Sequence, residues 1–133
     1  MMRLYSEQEI SDRYVPMFKR VFGYEPTGHV PRVVIAEEKE DSTSFTSGYF
    51  VTTDTFYISW AGATGGFKAV RRMWTSAEEE MMEAGVKWFT LKIENTNTQA
   101  QRLVLGIGFI PVGITVSGTK IYIEYHKRLI GDN

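Results

Sequence analysis

"TFYISWAGATGGFKAVRRMWTSAEEEMMEAGVKWFTLKIE", residues 55–94, changes its hydrophobic period twice. Over the first nine residues the side chains alternate: Phe56, Ile58 and Trp60 fall on one face, Tyr57 and Ser59 on the other, as in a strand. From Gly65 the period lengthens. Phe67, Val70, Trp74, Ala77, Met81 and Ala84 step by three and four, and Lys68, Arg71, Arg72, Glu78, Glu79 and Glu83 take the remaining faces, so the spacing predicts an amphipathic helix. Gly85 supplies an expected left-handed stop. "KWFTLKIE", residues 87–94, reads as a strand again. Strand, helix and strand in one run make a crossover. The strand ending near Ala63 and the one starting near Lys87 are therefore expected to be adjacent and parallel.

Upstream, "MRLY" reads as a short strand, and Ser6 with Glu9 fits a capping box at the start of a helix. Ile10, Tyr14, Met17, Phe18 and Val21 recur at helical spacing, with Pro16 expected to kink that helix or to open a second one. Residues 23–31, "GYEPTGHVP", form a loop on their Pro and Gly content. "RVVIAEEKE", "SFTSGYFVTTD" and "TFYISWAGA" are three strand-like runs with short polar breaks, the pattern of an antiparallel meander. Downstream, "ENTNTQAQRLVLGIGF", residues 94–109, sets Asn95 and Asn97 between a strand and a helix running from about Asn97 to Ile107. Both asparagines suit helix capping, and the glycines suit a helix end. "FIPVGITVSGTKIYIEYHKRL" closes the chain as a hairpin about "SGTK". The order β-α(α)-β-β-β-α-β-α-β-β gives an α/β (α+β) mixed sheet in a single domain, 1–133, mostly antiparallel with one parallel pair and helices flanking it.

Composition narrows the chemistry. The 133 residues, 43% hydrophobic and 23% charged, suffice for one packed core. A net charge of −1 gives no single-sign field for nucleic acid or an anionic membrane. With no cysteine, disulfides, thiolate catalysis and cysteine-based zinc are excluded, and His29 and His126 alone are too few for an all-histidine metal site. The N-terminus lacks a signal-peptide core and no run reaches membrane-spanning length, so a cytoplasmic protein is expected.

Asn97, Ala100, Leu103, Gly108 and Phe109, with Gly113 in the following strand, resemble the Asn-x-x-Ala helix and Gly-Phe junction of the GNAT superfamily of N-acetyltransferases. Gly48-Tyr49-Phe50 is similar to the glycine-containing third strand of that family, and the element order matches from about Arg3 to Leu129. The resemblance implies acetyl-CoA as cofactor, a primary amine as acyl acceptor, and a parallel pair that splays to admit the pantetheine arm. It implies cofactor binding by Trp60, Ala61, Gly62, Gly65, Gly66, Lys68 and Arg71, together with Asn95 and Asn97, with the pyrophosphate on the amides that open the long helix. It also implies a tyrosine on the last helix as the acid that protonates the leaving thiolate.

Two departures stand against it. "WAGATGGFKA" has no Arg or Gln three residues before a Gly-x-Gly, and the tyrosine position, counted from Asn97 and Ala100, is Val104. Proton transfer then falls to Tyr125 and Glu94, with His126 on the same last strand as a further carrier. Glu37, Glu38, Glu40 and Asp41 crowd the second strand and its turn, a solvated run or an acidic lip for an amine. The same degraded pattern resembles, by analogy, small GNAT-like internal virion proteins of short-tailed bacteriophages. The alternative function is accordingly a non-catalytic GNAT-fold structural or protein-binding module, located in a virion and partnered by virion proteins or by copies of itself.

Overall fold

The computed structural model, which describes residues 2–130, keeps the element order expected from the sequence. It runs β1 (Arg3–Leu4), α1 (Glu7–Phe22), β2 (Val33–Glu38), β3 (Thr43–Phe50), β4 (Thr55–Ala63), α2 (Phe67–Glu83), β5 (Trp88–Glu94), α3 (Thr98–Gly106), β6 (Ile110–Ser117) and β7 (Lys120–Arg128). The strands hydrogen-bond in the order β1-β2-β3-β4-β5-β7-β6. The β1–β2, β2–β3, β5–β7 and β6–β7 ladders are antiparallel, and β4–β5 is parallel, as the crossover requires. By internal contacts the chain divides into two units: residues up to Tyr49 with Ile58–Ala84, and Phe50–Tyr57 with the residues from Gly85 on.

In the first unit, α1 starts where the sequence says it should. The Glu9 amide donates to Ser6 Oγ at 3.2 Å and the Ser6 amide donates back to Glu9 Oε1 at 3.1 Å, a complete capping box. Pro16 neither ends the helix nor opens a second one, because α1 is continuous to Phe22. An interior proline costs about 3 kcal/mol. Ile10, Tyr14, Met17 and Phe18 are buried on either side of it, packed with Tyr5, Val34, Ala36 and Phe45. Each such burial contributes roughly 1.5–3 kcal/mol, so together they exceed the penalty. Phe18 is the hub: its ring lies 4.7 Å from Phe22, 5.0 Å from Trp60 and 5.9 Å from Tyr14, centroid to centroid.

Within the acidic run, Glu38 has structural partners. Its carboxylate accepts from the Tyr5 hydroxyl and pairs with Arg20 and, at 3.5 Å, with Arg13. It ties Tyr5, between β1 and α1, and the arginines of α1 to β2. Burial, with Glu38 alongside, pushes the Tyr5 hydroxyl up to about 12.

In α2 the buried stripe is Met73, Trp74, Ala77 and Met81, shifted from the sequence expectation by the gain of Met73. Phe67, expected to begin the stripe, is 61% exposed, and the Arg71 guanidinium lies 5.3 Å from its ring centroid.

The second unit is built around β5. The parallel ladder to β4 runs from Thr55↔Trp88 to Tyr57↔Thr90, and the antiparallel ladder to β7 from Trp88↔Arg128 to Glu94↔Tyr122. Phe89, Leu91 and Ile93 are buried on one face, with Phe56 6.2 Å from Phe89 between ring centroids. The closing hairpin turns at Gly118 (φ +61), inside the expected "SGTK". A bulge between Pro111 and Gly113 resets the register of β6 on β7.

Candidate functional site

The phosphate-binding candidates lie at the β4–α2 turn of the first unit. Gly65 and Gly66 adopt φ +98 and +84, backbone that side chains with a Cβ rarely take. Gly66 caps α2 without any side-chain bond, and the first helical bond is Val70 N–H to Gly66 C=O at 3.1 Å. The amides of the first turn thus have no partner within the helix, at the positive end of a 17-residue dipole. No carboxylate sits in that turn to neutralise them, while Lys68 and Arg71 are exposed beside it. A cavity of about 350 Å³ adjoins, with Thr43, Thr64, Gly65, Ala69, Arg72 and Ser76 among its walls. Helix-start amides and exposed cations, with no acid in the first turn, are a donor set that fits a pyrophosphate, and Glu37 is the carboxylate on the cavity wall.

The other residues of that stretch do different work. A Cβ on Gly62 would stand 2.7 Å from Val21 Cγ1 and 2.9 Å from Phe22 Cζ, so this glycine lets α1 approach β4. Trp60, on the same strand face as Phe56 and Ile58 by period, is 38% exposed at the edge of the aromatic cluster, 5.4 Å from Phe22, and its carbonyl accepts from Ser47 Oγ at 3.2 Å. Ala61 is half-buried.

In the second unit the junction after β5 brings four candidates together through a residue the sequence reading missed. Asn97 is the cap of α3: its side chain accepts the Ala100 amide at 3.1 Å. Asn95, exposed, donates its amide to Ile121 C=O at 2.9 Å and so anchors the end of β5 to β7. Gln101 then donates its side-chain amide to the carbonyls of Asn95 (2.9 Å) and Glu94 (3.3 Å), and its Oε1 stands 3.5 Å from the Tyr125 hydroxyl. The signal was available: Gln101 is the fourth residue after the Asn97 cap, one turn on and above the junction. Tyr125 itself is only 2% exposed. Glu94, half-buried, ends β5 opposite Tyr122.

Val104 is 4% exposed, the buried residue of α3, and its carbonyl accepts the Phe109 amide at 2.9 Å. A tyrosine there would have to enter packed space. On the opposite face of the sheet from Tyr125, the row Tyr57–Thr90–His126 crosses β4, β5 and β7. His126 Nε2 lies 3.2 Å from Glu124 Oε1, and the buried Thr90 hydroxyl has no protein hydrogen-bond partner among the described residues. Among those residues no group of three His, Asp or Glu gathers as metal ligands, and no helix is long and apolar enough to cross a membrane.

This arrangement of strands and helices is the GNAT fold. The chain is similar to the aminoglycoside 6'-N-acetyltransferase from Enterococcus faecium, with a TM-score of 0.67 at 10% identity over 100% of this chain and 99% of that one. It is similar to the ribosomal-protein-S18-alanine N-acetyltransferase from Escherichia coli, TM-score 0.66 at 12% identity, covering 100% of this chain and 97% of that one. The Salmonella typhimurium protein yncA, solved with its cofactor acetyl-CoA, matches with a TM-score of 0.64 at 11% identity over 99% and 95%. No family model matches the sequence, and no curated protein matches it.

Proposed function

We propose that the protein is an acetyl-CoA-dependent N-acetyltransferase acting on a primary amine, slower than members that hold a tyrosine acid. The observation that carries the reading is the β4–α2 turn: uncapped amides, two positive-φ glycines and the exposed Lys68 and Arg71, with no acid in the first turn. There the cofactor's phosphates meet backbone N–H groups and two cations. The pantetheine arm follows the backbone of β4 past Tyr57, the last residue of its ladder with β5. Bound acetyl-CoA supplies an activated thioester. The chain's part is to orient it with β4 amides and to take up the proton of the attacking amine. Acid–base catalysis contributes around a hundredfold to ten-thousandfold, so a chain whose acid position is a buried valine keeps a reduced rate.

Titration calorimetry with acetyl-CoA tests the reading. Binding should weaken, and its salt dependence flatten, when Lys68 and Arg71 are both reversed to glutamate. Unchanged affinity in that variant sinks this placement of the phosphates, and no heat with the native chain at millimolar cofactor sinks the reading itself. A second reading is favoured by the buried Val104: a non-catalytic module that has kept the fold and binds a protein, as a virion component would. It takes the place of the first if acetyl-CoA does not bind.

A further inference from the structure

Thr90, in the middle of β5, is 6% exposed, and its hydroxyl has no hydrogen-bond partner among the described residues. A buried hydroxyl left unpaired is destabilising, so one that a native chain keeps calls for a partner that is not protein. Tyr57 of β4 and His126 of β7 flank Thr90 across the sheet, share its face and stand about 5 Å away on either side. Lys92 and Glu94 follow on the same face of β5, opposite Glu124 and Tyr122 of β7.

His126 and Glu124 carry the chemistry of this face. Their side chains are 37% and 34% exposed, so small molecules reach them from solvent. Nε2 of the imidazole lies 3.2 Å from Glu124 Oε1. A carboxylate only accepts, so the hydrogen on that bond belongs to Nε2, and the neutral ring keeps its lone pair on Nδ1. Nδ1 makes no hydrogen bond among the described residues. The Arg128 guanidinium is engaged elsewhere, 5.3 Å from the Trp88 ring centroid.

Position separates the three proton carriers expected from sequence. The β4–β5 ladder ends at Tyr57↔Thr90, the point past which the acyl arm runs in the function proposed above. Glu94 lies four residues further along β5, about 13 Å away. Tyr125 pairs with Leu91 on the opposite face and is 2% exposed. His126 stands directly opposite Thr90.

We propose that Thr90, His126 and Glu124 form the seat of the acceptor amine, with His126 Nδ1 as the base that takes its proton. The base role rests on the acetyltransferase reading; the seat does not. Thr90 Oγ1 accepts one N–H of the amine and holds its nitrogen at the end of the β4–β5 ladder. As that nitrogen attacks, the new N–C bond replaces the C–S bond and the sulfur leaves as thiolate. The amine's proton passes to Nδ1, Glu124 stabilises the imidazolium, and the ring releases the proton to solvent.

Long-range ¹H–¹⁵N spectra of the full chain report two imidazoles, His29 and His126. Propylamine, added to millimolar levels without acetyl-CoA, should shift the His126 ring and the Thr90 amide saturably and leave His29 unmoved. Thr90→Val keeps the shape and should weaken this binding roughly threefold to tenfold, the worth of one hydrogen bond. Rate is read separately. Because the chain has no cysteine, thiol released from acetyl-CoA is measured without protein background. His126→Ala should lower kcat about a hundredfold at unchanged KM for acetyl-CoA, and added imidazole should restore part of the loss. Absence of the amine shifts overturns the proposal, as does Thr90→Val binding as tightly as the native chain. So does a His126→Ala variant whose kcat stays within about threefold of native. If calorimetry shows no acetyl-CoA binding while the shifts persist, the acetyltransferase reading and the base role fall and the amine seat stands. Acetyl-CoA binding without the shifts removes the seat and leaves that reading intact.

Discussion

Replacing Gly62 by alanine separates packing from ligand binding at the β4–α2 stretch. The new Cβ would meet Val21 Cγ1 at 2.7 Å and Phe22 Cζ at 2.9 Å, distances that real Cβ contacts do not show. Something must move. Val21 is β-branched with one preferred rotamer in a helix, and Phe22 is ringed by Phe18, Tyr24, Phe45 and Trp60. The displacement therefore propagates into α1 and costs about 1–3 kcal/mol, the usual range for an added methyl in a packed site. For a chain of this size that is roughly 3–15 °C in Tm, read by thermal or urea unfolding. Val21→Ala deletes the nearest clashing methyl, so the double variant should lose less than the sum of the two single changes. If Gly62→Ala leaves Tm unchanged but weakens acetyl-CoA binding, the steric reasoning is wrong and the glycine serves the cofactor.

Phe18→Ala removes the hub of the aromatic cluster and should cost about 3–5 kcal/mol in urea unfolding; a loss below that range would show that the cluster collapses onto the space. Thr90→Val keeps the shape and deletes a buried hydroxyl without a protein partner, so stability should hold or rise by about 1 kcal/mol, and a clear loss in Tm would refute that. The Arg3 side chain and the Ser6 cap hold the Glu9 carboxyl down to about 2 from 4.5, so its contribution is present above pH 4.5 and lost as pH falls toward 2. Glu9→Gln should lower stability at neutral pH, where the contribution is full, and flatten the stability profile across that acid window. The Tyr5 hydroxyl, raised from 10.0 to about 12, acts in the opposite sense: its contribution is full below pH 10 and fades as pH climbs through 12, which Tyr5→Phe should remove.

What was legible in the sequence was local. Ser6 with Glu9, Asn97 and the Gly118 turn each act within a few residues, so spacing alone reveals them. The crossover was legible because a hydrophobic period changes twice without a break, and only a parallel neighbour follows. Long-range work was hidden. Glu38 reads as one acid among several, and its partners Tyr5, Arg13 and Arg20 come from 18 to 33 residues away. Pro16 reads as a kink or the start of a second helix because the propensity rule is local, whereas the buried residues on both sides keep α1 one helix. Gly62 reads as part of a glycine-rich loop with Gly65 and Gly66, yet its reason for lacking a side chain is a helix more than 35 residues upstream. The two true loop glycines are marked by positive φ, which sequence does not display.

The fate of the proton acid turns on α3. In the resemblance a tyrosine stands at position 104, but here that position points into the packed side of the helix, 4% exposed. Val104→Tyr would add a large ring to a site with no room for it, costing about 1–3 kcal/mol or more of overpacking before any chemistry could be read. Loss of activity in that variant would be uninformative. Gln101 is the better probe of the junction, because its side chain reaches the carbonyls of Glu94 and Asn95 and faces the Tyr125 hydroxyl. Gln101→Glu keeps the size and the acceptor toward Tyr125 but removes the two donors, setting a carboxylate against two carbonyl oxygens. The end of β5 should then loosen, seen as faster amide exchange at Asn95, whose N–H to Ile121 C=O closes the strand. If exchange at Asn95 is unchanged, the junction is held by the Asn97 cap and the ladder to β7 alone, and Gln101 has no positioning role.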